Sequence, residues 1–117
     1  MNMVASYDHC LADEKLKVVL ARLRASFEAL YGQRLVRMVL FGSHARGDAV
    51  SGSDIDVLVV LRGAVDPGEE IERTGALTAA LSLEQDVVIS RLFVSDDRFE
   101  HEQSPLLMNV RREGVLV

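Results

Sequence analysis

Two aspartates one residue apart, Asp54-Ile55-Asp56, open an aliphatic run, and a Gly42-Ser43 pair stands ten residues before them. In a strand, alternate side chains share a face, so these two carboxylates project together with Cα atoms about 7 Å apart. Like charges at the head of an apolar strand repel, and a bound divalent cation removes the repulsion. Magnesium suits such a pair, because this hard ion takes one or two carboxylates together with substrate phosphates and water. Asp86 heads a second aliphatic run. If the two runs are neighbouring strands, Asp86 brings a third carboxylate to the same cluster. Two ions about 4 Å apart can then activate an attacking hydroxyl and stabilise a leaving oxygen in one in-line displacement. The competing reading makes Asp86 a surface residue that merely opens a strand, with Glu84, of the same parity, as a weaker substitute ligand.

Gly42 and Ser43 supply the other half of such a site. A glycine at a strand end lets backbone approach a ligand closely. If residues 43–46 form a helical turn, its free N–H groups and the Ser43 hydroxyl offer an anion site for phosphate oxygens. Arg46 divides evenly between a phosphate contact and a structural ion pair. The glycine-lysine-serine/threonine ending of a P-loop is absent from the sequence, so triphosphate binding has to run through this turn. His9, His44 and His101 have no zinc spacing with Cys10 or with one another.

These residues need a sheet to hold them. Apolar positions Leu16, Val19, Leu20, Leu23, Phe27, Leu30 and Tyr31 recur at helical spacing and predict a helix over about 13–31, closed by Gly32. Core packing is the favoured use of that stripe, a dimer or partner contact the alternative. Strands are expected over 35–41, 54–61 and 86–94, the second of them central because it is aliphatic on both faces. Asp66-Pro67 and Ser104-Pro105 are cap-plus-proline signatures that open helices, the first running to about 83 and weakened at Gly75. Residues 95–103, including an exposed turn at Asp96-Asp97, are expected to be loop, and Val115-Leu116-Val117 an edge strand or partner contact. The expected fold is α/β: a small mixed β-sheet with helices packed on it, in one domain over 1–117.

Composition narrows the function. A net charge of −5 with only Lys15 and Lys17 as lysines gives no basic surface for extended nucleic-acid binding. No apolar run reaches the roughly 20 residues of a membrane span, and the first eight residues lack the basic and apolar regions of a secretory signal. A single cysteine forms no internal disulfide, so a cytoplasmic location is expected.

Phe41-Gly42-Ser43-His44-Ala45-Arg46-Gly47 with Ser53-Asp54-Ile55-Asp56-Val57 resembles the signature of the polymerase-beta-like nucleotidyltransferase superfamily, in particular its minimal nucleotidyltransferases. The closing stretch from Ser104-Pro105 to Arg111-Arg112-Glu113-Gly114 is similar too, so the likeness covers about residues 35–116. The resemblance implies that Asp54, Asp56 and Asp86 hold two Mg2+ ions and that Gly42 and Ser43 bind the β- and γ-phosphates of ATP. AMP would pass to an acceptor hydroxyl. It further implies an antitoxin that adenylylates a tyrosine of a small helical HEPN-type toxin, with a homodimer as a further possibility. A non-catalytic binding module of the same fold, and transfer to a small molecule or an RNA end, are the competing expectations.

Overall fold

The computed structural model describes residues 5–6 and 13–117; His9, Cys10 and the rest of the amino-terminal stretch read for a signal lie outside the described residues. Five strands form one sheet: β1 (Ala5–Ser6), β2 (Leu35–Phe41), β3 (Ile55–Leu61), β4 (Ile89–Ser95) and β5 (Val115–Leu116), in spatial order β1-β5-β2-β3-β4. The sheet is mixed, as expected: β2 runs antiparallel to β3 and β5, whereas β3–β4 and β1–β5 are parallel. The aliphatic run of β3 lies between β2 and β4 and is buried on both faces from Val57 onward. The tail strand β5 is not an edge, because β1 pairs along its outer side.

On one face lies α1 (Glu14–Tyr31), which seats Leu16, Val19, Leu20, Leu23 and Phe27 against Met38, Leu40, Val57, Val59 and Phe93. The apolar stripe is thus core, although Leu30 stays 42% exposed. Asp13 caps the helix by accepting from Leu16 N–H at 3.2 Å, and a 3-10 turn, Gly32–Arg34, turns the chain into β2. The parallel step from β3 to β4 needs a crossover. It is made by α3 (Pro67–Arg73) and α4 (Gly75–Gln85), two helices where the sequence suggests one. The break falls at Thr74, beside the weak Gly75, where the Thr74 hydroxyl bonds back to the Glu70 carbonyl at 2.9 Å.

The opposite face is covered by α5 (Asp96–His101) and α6 (Pro105–Glu113), which pack Phe99, Leu107 and Val110 on Val39, Leu58, Val60 and Val94. The α5 helix corrects the expectation of a loop over 95–103 and a turn at Asp96-Asp97. Ser95 caps it, accepting from Arg98 N–H at 3.1 Å, and the two aspartates suit its positive end. The same cap logic read at Ser104 was there to be read at Ser95, without the proline. Buried Arg111 ties the two helices together by donating to the Phe99 and Glu102 carbonyls at 2.6 and 2.7 Å.

Candidate active site

The antiparallel β2–β3 register sets Phe41 opposite Asp56, so the chain leaves β2 beside the head of β3. Gly42 follows immediately with φ 75° and ψ −157°, a conformation open essentially to glycine alone. A Cβ at Gly42 would overlap Asp56 Oδ2 and lie 3.3 Å from its Cγ. The glycine is therefore fixed twice, by its backbone angle and by the carboxylate pressed against it. Next comes a single helical turn, α2 (Ser43–Arg46), whose first N–H groups have no side-chain cap. Gly42 and Ser43 thus stand beside Asp56, as the spacing suggested.

Asp56 shares a face with Leu58 and Val60, the face covered by α5 and α6, and Asp54 immediately precedes the strand. Neither makes a hydrogen bond or ion pair with another described side chain. Partial burial raises the Asp56 pKa above its ordinary value and the Asp54 charge raises it further, while His44 and Arg46 pull the other way. Arg46 is half-exposed and lies within ion-pair range of Asp48 (3.2 Å) and Glu113 (3.9 Å). The structural use of Arg46 is seen, and it links the turn to α6.

Sequence reading overlooked His44. Its Nε2 lies 3.1 Å from the Ser53 carbonyl, which pins the far end of the 47–53 loop next to Asp54. A polar residue inside the Gly-Ser turn was the available signal, but testing it only against zinc spacing hid this use.

Asp86 is placed differently from the expectation. It does not open β4: α4 continues to Gln85, and Asp86 ends it in the left-handed region, φ 55° and ψ 54°. Short polar side chains tolerate that conformation, and a helix carrying Leu77 and Leu81 into the core has no reason to stop earlier. Pairing with β3 begins only where Ile55 N–H meets the Val88 carbonyl at 2.8 Å. Asp86 instead lines a cleft of about 660 Å3 whose walls combine Asp13, Leu16 and Val19 of the α1 side with His44, Ser53 and Ile55 around the head of β3; Asp54 and Asp56 themselves are not among its lining residues. The weaker substitute, Glu84, is ion-paired with Arg22. Among the described residues no group of three or more His, Cys, Asp or Glu side chains converges as a metal site.

The family model described as a nucleotidyltransferase domain matches residues 20–105. The chain belongs to that nucleotidyltransferase family. Two relatives from Methanocaldococcus jannaschii, provisionally named protein adenylyltransferases, are 38% identical over 76% of this chain and 84% of theirs, and 32% identical over 85% and 59%. A solved structure described provisionally as a minimal nucleotidyltransferase is 27% identical, with TM-score 0.54 over 91% of this chain and 98% of that one. A toxin–antitoxin structure with AMP-PNP shares the fold, with TM-score 0.56 and 19% identity over 91% and 72%. The nucleotidyltransferase family generally uses a nucleoside triphosphate and a divalent metal. None of the helices formed by the described residues is long and apolar enough to cross a membrane.

Proposed function

We propose that this nucleotidyltransferase transfers AMP from ATP, with Mg2+, to a hydroxyl of a partner protein, the partner being a small helical HEPN-type toxin and the acceptor one of its tyrosines. The observation carrying this reading is the packing of Gly42 against Asp56, which sets an uncapped helical turn beside two carboxylates that have no ion-pair partner among the described residues. Asp54 and Asp56 would hold magnesium, and their donor set fits a hard ion. Bound there, magnesium would offset the charge of the triphosphate and of the departing pyrophosphate. The chain's own residues do the positioning. Ser43 and the α2 N–H groups receive phosphate oxygens, Gly42 allows them close, and His44 holds the loop leading to Asp54. The acceptor oxygen then bonds to the α-phosphorus, the bond from that phosphorus to the bridging oxygen breaks, pyrophosphate leaves, and the hydroxyl proton passes to solvent. The names of the curated relatives support a protein acceptor, and the toxin–antitoxin structure of like fold supports a partner of that kind.

One observation favours a second reading, a binding module that neutralises its partner without turnover: no third acidic side chain joins the pair among the described residues. The test is incubation of the chain with ATP labelled at the α-phosphate, magnesium and purified helical partner, alongside small-molecule and RNA acceptors. Label on the partner, lost with EDTA and in Asp56→Asn, supports the proposal. Label on no acceptor, with tight partner binding, supports the module instead.

A further inference from the structure

The β3–β4 register sets Ser90 directly opposite Asp56. Neighbouring strands lie about 4.8 Å apart, and paired residues of a parallel ladder point to the same side. The next pairs in that series, Leu58 with Leu92 and Val60 with Val94, place Leu58, Val60 and Val94 in one core cluster, so Asp56 and Ser90 look out of the same face. Ser90 is exposed. Just before the ladder stands Val88, whose carbonyl accepts from Ile55 N–H. Neither neighbour carries charge, and Asp86 lies four residues before Ser90, beyond the start of the strand.

We infer that Ser90 occupies the place where a third carboxylate would have to stand, so that Asp54 and Asp56 alone hold the metal. The site then retains the ion chelated by the triphosphate and binds a second, acceptor-activating ion only weakly. The reason is charge. An ion chelated by a nucleoside triphosphate brings its own anionic ligands, whereas an ion on the acceptor side depends on protein carboxylates. A serine hydroxyl there is a neutral donor, and affinity for hard cations follows the number of charged ligands. This rests on the reading of the aspartate pair as the metal site.

Metal counting tests the inference independently of turnover. Mn2+ is titrated into the full chain with a non-hydrolysable ATP analogue, and bound Mn2+ is followed by electron paramagnetic resonance. The wild type is expected to hold one tight ion per chain, and Asp86→Asn the same. Ser90→Asp is expected to hold a second ion at least roughly tenfold more tightly than the wild type does, since even groups that only support a ligand act over 10- to 100-fold. Two tight ions in the wild type, one of them lost in Asp86→Asn, would overturn the inference. So would Ser90→Asp remaining at one ion with an unchanged thermal melt; if that variant fails to fold, Ser90→Glu and the Asp86→Asn comparison decide. Analogue-bound Mn2+ that persists in Asp56→Asn, or no bound Mn2+ at all, removes the underlying reading of the pair as well, which separates the two failures.

Discussion

The two ends of the β2–β3 ladder treat acidic side chains in opposite ways. At the end where β2 begins, Glu70 is 3% exposed yet surrounded by donors: Tyr31 Oη at 2.6 Å, Arg73 Nε at 2.9 Å and Arg34 at 3.4 Å. Burial alone would raise its pKa, but the hydrogen bonds and the two arginines outweigh burial and hold it below the ordinary value. At the end where β2 finishes, Asp56 is partly buried beside another carboxylate, and its pKa is raised. One end is a completed network, and at the other the carboxylates have no bonded partner among the described residues. Proteins complete networks where only stability is at stake, and leave strain or uncompensated charge where a ligand is to supply the missing contacts.

Substitutions can break this contrast from either end. The largest effect expected is on activity. Asp56→Asn should lower nucleotide transfer on the order of 100-fold or more, because a direct ligand matters at least as much as its supporting groups. Its stability should change by no more than about 0.5 kcal/mol, or rise as the repulsion is relieved. Single-turnover labelling beside urea unfolding reads both quantities; a large stability loss would make Asp56 a structural residue. Glu70→Ala should do the reverse. It should cost about 2–3 kcal/mol in urea unfolding, below the usual penalty for breaking a buried pair because Arg34 and Arg73 are 35% and 43% exposed and can rehydrate. Its affinity for the metal–nucleotide complex should match the wild type.

Gly42→Ala probes the junction between stability and site. The forbidden backbone region should cost about 1–3 kcal/mol, and the new methyl must displace the Asp56 carboxylate. Nucleotide affinity by calorimetry should therefore fall in molecules that remain folded; unchanged affinity would detach the turn from the pair. The smallest effect concerns Glu102, a carboxylate of the completed kind. Arg98 grips it with two bonds of 2.7 and 3.1 Å and Ser104 adds a third, which lowers its pKa to about 2. A depressed pKa in the fold contributes stability that is present above the unfolded value near 4.5 and is lost as pH falls toward 2. Glu102→Gln should flatten the acid side of the thermal-stability curve across that window and leave the slope between pH 6 and 8 unaltered.

Much of the fold was legible because its signals are local. The α1 stripe, the aliphatic run of β3, and the Asp66-Pro67 and Ser104-Pro105 caps each draw on neighbours within a few residues, where periodicity and capping chemistry act. The α5 helix was missed because a charged composition outweighed the Ser95 cap. The break at Thr74 was half-legible, since the Gly75 weakness was seen but the bond back to Glu70 was not.

For the site, the sequence by itself determined that two carboxylates share a strand face and that a glycine-serine turn stands ten residues away, because strand alternation and glycine's conformational freedom are properties of the chain alone. Only the tertiary structure decided which residue of the next strand stands beside that pair. Register depends on where a crossover ends and a ladder begins, and here α4 runs on to Gln85, so Asp86 caps a helix and Ser90 lies across from Asp56. A shift of a few residues in a parallel pairing exchanges a carboxylate for a hydroxyl, and hydrophobic pattern alone does not resolve it when Val87, Val88 and Ile89 run on together.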